Sequence, residues 1–122
     1  MRGILNSAGY IPKKFLRRSS IQDFIGGTAP LGVRAVCSHD EDTATMGVES
    51  ARITLSSLSG NINPAAVWFS SSNPPYMDKT NANVIHAALQ LDTNAAAYDF
   101  GGAEKSGVGA LKAALDSSKT LL

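Results

Sequence analysis

The 122-residue sequence predicts an α/β fold with a mostly parallel sheet in βαβαβα order. Three observations predict it. Two short apolar runs, Ala65 to Ser70 and Ala95 to Phe100, lack polar–apolar alternation, as expected of parallel strands covered on both faces. Each is followed, after a break rich in Pro or Gly, by apolar residues at helical spacing. With 43% hydrophobic and 17% charged residues there is material for one small core, so residues 1–122 are expected to form one domain or part of one.

Residues 2–12 mix small and β-favouring residues and stop at Pro12, which predicts a first strand running into a loop. From Lys13 to Gly27 the pattern is amphipathic and interrupted, predicting a loop with a short helix around residues 21–25. Asp40, Glu41, Asp42 and Thr43 are a helix start, because capping oxygens and negative charge meet the positive end of the dipole. Behind them Ala44, Val48, Ala51, Leu55 and Leu58 recur every three or four residues. Pro74-Pro75 forces a loop after the second strand, and a helix is expected from Thr80 with Ile85, Ala88 and Leu89 inward. Gly101-Gly102 closes the third strand. The helix expected from Ala103 carries Val108, Leu111 and Leu115, and residues 119–122 read as a turn and the first residues of a further strand, so the chain is expected to be the leading fragment of a longer one.

Eleven basic against ten acidic residues leave a formal charge of +1, which disfavours a nucleic-acid or anionic-membrane binder. One cysteine, Cys37, excludes an internal disulfide framework and a multi-cysteine zinc site, and predicts a small buried hydrophobe in a reducing compartment. No apolar stretch approaches the roughly 18 residues of a membrane span, and the N-terminus lacks a secretory apolar core. A soluble cytoplasmic protein is expected. His39 and His86 share no metal-ligand spacing, and helix capping accounts for the Asp40–Asp42 carboxylates, so no metal is expected. Lys13, Lys14, Arg17 and Arg18 are the one basic cluster, either a solvated face or a phosphate contact.

Several segments fall into a known order. The Gly-Tyr-Ile-Pro at 9–12, the DEDTATMGVESA helix start at 40–51, the SSSNPPY loop at 70–76, the Lys79-Thr80 helix entry and the DFGGAEKSG turn at 99–107 together resemble the N-terminal half of a thiolase-superfamily enzyme. The resemblance is to the 3-hydroxy-3-methylglutaryl-CoA synthase group, with type III ketoacyl synthases a step further away. It implies a thiolase-like fold whose second half is absent, a coenzyme A thioester as substrate or ligand, and no other cofactor. In that family a cysteine at a helix N-terminus takes the acyl group, because free N–H groups and the dipole favour its thiolate. Matching Lys105-Ser106-Gly107 to the family turn puts Glu104 at the cysteine's position. Counting back from Pro75-Tyr76 puts Ser72 at the position of the family's glutamate acid/base.

Both catalytic positions are therefore substituted, and two readings stand. One is a part of a CoA-dependent condensing acyltransferase that is inactive alone. The other is a non-catalytic acyl-CoA-binding or scaffold partner, a homodimer or a heteromer with the missing half or with an OB-fold protein. Glu104 is either a favourable first-turn acid at a helix N-terminus or a pocket residue imitating an acylated thiol, and Ser72 is otherwise a loop residue bonding locally. Arg34, where type III ketoacyl synthases have a residue near the adenine end of CoA, and Lys79 are the implied CoA contacts. The resemblance also implies that the strand faces at 67–69 and 96–98 and the helix at 107–115, covered by the other half in the family, present apolar surface in this chain.

Overall fold

The computed structural model describes residues 3–28 and 30–122. Arg2, which opens the predicted first strand, lies outside the described residues. The chain divides into two compact units, residues 11–41 and residues 42–122 joined by 3–10.

The 11–41 unit holds β1 (Lys14–Arg17), α1 (Arg18–Ile25) and β2 (Val33–Val36). β1 and β2 pair antiparallel, Lys14 opposite Val36 and Arg17 opposite Val33. α1 ends because Gly26 and Gly27 take φ of 75° and 90°, a region that costs glycine nothing and closes the Gly26 N–H onto the Gln22 carbonyl at 2.8 Å. The predicted helix at 21–25 is there and is longer, but the antiparallel pair of strands flanking it was not expected. The predicted strand at 2–12 is corrected: residues 3–12 form no strand. A strand needs a ladder partner for its backbone, and this segment is bonded by side chains instead. Asn6 Nδ2 donates to the Thr54 carbonyl at 2.8 Å, and Ser50 Oγ donates to the Ala8 carbonyl at 2.9 Å. Cys37 is exposed rather than buried, because it follows a two-stranded sheet whose residues are themselves nearly all exposed.

The other unit carries α2 (Thr43–Ser56), β3 (Ala66–Ser71), α3 (Asn81–Ala88), β4 (Ala96–Gly101) and α4 (Ser106–Asp116). α2 starts as its sequence requires: Asp42 Oδ1 accepts from Thr45 N at 2.8 Å, and Thr45 Oγ1 accepts from Asp42 N at 2.7 Å. This reciprocal box satisfies two N–H groups that the helix cannot bond itself. β3 and β4 pair parallel from Ala66 opposite Ala96 to Ser71 opposite Gly101. On the other side of β3, Leu121 bridges to Ala66 in parallel, and Trp68 N donates to the Leu122 carbonyl at 2.8 Å, as expected of the first residues of a further strand.

Val48, Val67, Ala82 and Ile85 form the buried core, with Phe69, Leu89 and Leu91 packed against it. One inward prediction is corrected: Ala88 is exposed. In α4 only Ala110 is buried, while Val108 and Leu111 remain 70% and 50% accessible. The apolar stripe of α4 thus has no cover among the described residues, as the resemblance implies. Tyr98 is likewise exposed, but Val67 on β3 is buried, so that strand face is already covered from within the chain. No helix among the described residues is long and apolar enough to cross a membrane.

Candidate functional site

Parallel strands deliver their loops to one edge, and ligands of open α/β sheets bind outside the carboxyl ends of the strands. β3 and β4 end on register partners, Ser71 and Gly101, so the loop opening with Ser72 and the turn holding Glu104 leave the same edge. Both residues are exposed. Arg34 belongs to the 11–41 unit, on β2 opposite Leu16.

Glu104 does not occupy the first helical turn that its spacing predicts. α4 begins at Ser106 with Lys105 as its N-cap, and Glu104 sits in the turn before it. The cause is local. Ser106 Oγ donates to the Gly101 carbonyl at 3.0 Å and accepts from Ala103 N at 3.3 Å, closing the turn ahead of the helix. Gly102, at φ 93°, makes the reversal that a side chain would strain.

The loop after β3 is held at both ends. Thr43 Oγ1, at the start of α2, donates to the Asn73 carbonyl at 3.0 Å. At the far end Asn81, 1% accessible, reads Tyr76 on both sides: Tyr76 N donates to Asn81 Oδ1 at 3.0 Å, and Asn81 Nδ2 donates to the Tyr76 carbonyl at 2.9 Å. Asn81 is oriented in turn by Asp99 of β4, whose Oδ2 accepts from Asn81 N at 2.7 Å and Nδ2 at 2.9 Å, while Oδ1 accepts from Ala82 N at 2.8 Å. Thr80, the N-cap residue of α3, makes no side-chain cap bond, so Asp99 caps this helix from the neighbouring strand. Lys79, in the same loop, holds its Nζ 3.7 Å from the centre of the Tyr76 ring.

Sequence reasoning missed Asn81 and Asp99. One signal existed for Asp99: an acidic residue is disfavoured inside an apolar strand, and Ala96–Gly101 carries one. A mainly apolar cavity of about 740 Å3 lies elsewhere in this unit, with Leu5, Leu55, Trp68, Leu111 and Leu115 on its walls. Among the described residues no three His, Cys, Asp or Glu side chains are grouped to hold a metal ion.

No family model matches the chain. Hydroxymethylglutaryl-CoA synthase from Pyrococcus horikoshii is 35% identical over 117 residues, covering 93% of this chain and 33% of its own length. The β-ketoacyl-[acyl carrier protein] synthase III from Thermus thermophilus superimposes with a TM-score of 0.78 at 20% identity, over 92% of this chain and 37% of its own. The fold is thiolase-like. PksG, an HMG-CoA synthase from Bacillus subtilis, adds a TM-score of 0.75 at 21% identity over 95% of this chain and 31% of its own. The thiolase-like chain spans about a third of the length of the curated relatives it matches. Its resemblance to hydroxymethylglutaryl-CoA synthase and to type III ketoacyl synthases holds in sequence and in fold respectively.

Proposed function

We propose that this thiolase-like chain serves CoA-dependent acyl transfer of the hydroxymethylglutaryl-CoA synthase kind without itself carrying the nucleophile. The observation that carries the reading is Glu104, exposed on the carboxyl edge of the sheet at the position where the family resemblance requires a cysteine. A thiolate attacks a thioester and returns an equally activated thioester. A carboxylate would have to form a mixed anhydride, a more activated acyl group, and expel the CoA thiolate uphill. Ser72, at the acid/base position, supplies a hydroxyl in place of a group that titrates in the useful range.

On this reading an acyl-CoA is the ligand, Lys79 meets one of its anionic groups, and acyl transfer requires the parts of the fold that this sequence does not span. Cytoplasmic lipid metabolism is the setting in which that chemistry belongs. A second reading, favoured by the paired substitutions at 72 and 104, is a non-catalytic acyl-CoA-binding or scaffold subunit that forms a homodimer or joins a thiolase-like or OB-fold partner.

Incubation of the chain with acetyl-CoA is expected to leave its intact mass unchanged and to release no free CoA. If the 99–107 turn matches the family's nucleophile turn, Glu104→Cys in a chain joined to the second half of the fold is expected to give a thiol titrating below the usual value of about 8.5, and acetyl-CoA is expected to protect it from iodoacetamide more than it protects Cys37. An acetyl adduct on the unaltered chain would overturn the non-catalytic assignment. An ordinary, unprotected thiol in Glu104→Cys would remove the match between this turn and the nucleophile turn.

A further inference from the structure

Asn81 and Asp99 are more than a helix cap. An asparagine side chain has two N–H bonds and one carbonyl to satisfy, and taking them from water is costly unless each finds a partner. Asn81 satisfies them by grasping the backbone of Tyr76 on one side and the Asp99 carboxylate on the other. The carbonyl of Lys79 lies a further 3.4 Å from the same Nδ2. The loop that leaves β3 is therefore pinned to β4 through one buried amide, at the two residues whose side chains form the ammonium-on-ring pair. Both side chains of that pair lie at the surface, and a lysine there otherwise samples many rotamers.

We infer that Asn81 and Asp99 are positioning residues that act through Tyr76 to hold the Lys79 ammonium at the carboxyl edge of the sheet, where it receives an anionic group of the ligand. The functional half of this inference rests on the acyl-CoA reading above. The geometric half does not. Asp99 supplies three acceptor contacts to the start of α3, and Asn81 transmits that position to the loop, so loss of either releases Tyr76 and with it the seat of Lys79.

The test is a cycle on the full chain, read by equilibrium binding of acetyl-CoA and by amide exchange. Lys79→Met and Asn81→Ala are each expected to weaken binding about ten-fold, a step of roughly 1.4 kcal/mol, and Lys79→Arg to retain it. If Asn81 acts through Lys79, the double variant loses no more than Lys79→Met alone, since a residue without its effector has nothing left to position. Losses that multiply in the double variant, or an Asn81→Ala chain that binds as the unaltered one does, overturn the inference. Amide exchange at Tyr76 is expected to quicken at least ten-fold in Asn81→Ala and in Asp99→Asn, while the Trp68 amide, bonded to Leu122 across the sheet, stays protected. Unchanged exchange at Tyr76 overturns the geometric half directly. Failure of the unaltered chain to bind acetyl-CoA, with Tyr76 released as expected, instead overturns the acyl-CoA reading and leaves the positioning of the loop established.

Discussion

α3 and α4 follow adjacent, paired strands, yet the chain treats them differently. α3 buries Asn81, Ala82 and Ile85, and its N-terminus is capped by Asp99 from β4. α4 buries only Ala110, starts on a residue with no side-chain cap bond, and turns Val108 and Leu111 toward solvent. The first helix is completed by this chain's own residues and the second is not. The edge on which Ser72 and Glu104 sit therefore has one anchored side, the loop before α3, and one side resting on a helix whose apolar stripe is still open.

The contrast can be broken first at the core. Ile85→Ala removes a side chain only 3% accessible, packed with Val48, Val67 and Ala82, and is expected to cost about 2–5 kcal/mol in denaturant unfolding. A loss below about 1 kcal/mol would mean that α3 is no better anchored than α4.

A smaller effect is expected at the cap. Asp99→Ala deprives two backbone N–H groups and the Asn81 amide of their acceptor and should cost about 1–3 kcal/mol, with fraying of the first turn of α3 visible in amide exchange. Retention of that turn would show that local backbone preference, and not the strand-borne carboxylate, starts the helix.

The smallest change belongs to α4. Leu111→Glu, at a position half accessible to water, should shift stability by no more than about 0.5 kcal/mol while reducing concentration-dependent self-association in sedimentation. A core-sized loss from Leu111→Glu in a monomeric chain would mean that α4 is as well seated as α3, and the contrast between the two helices would disappear.

How much of this was legible beforehand depended on how far apart the interacting residues stand. The start of α2 could be read directly, because Asp42 and Thr45 bond each other within one helical turn. β3 and β4 announced themselves as unbroken apolar runs, and Gly101-Gly102 at the end of the second run placed Glu104 in the segment that follows β4. The Asn81–Asp99 contact, by contrast, joins residues 18 positions apart in different elements, and no local period or propensity encodes such a pair. The same holds for the β1–β2 pair. Lys14–Arg17 carries no alternation that separates a wet face from a dry one, and its pairing with Val33–Val36 is decided by the partner strand alone.

By itself, then, the amino-acid sequence determined the helices and strands whose patterns repeat within a few residues, and the family those patterns resemble. Tertiary structure decided which apolar stripes are covered, where α4 begins relative to Glu104, and which buried amide holds the candidate site. Those outcomes depend on hydrogen-bond and packing partners contributed by distant segments, and a burial or a bond is settled only when both partners are in place.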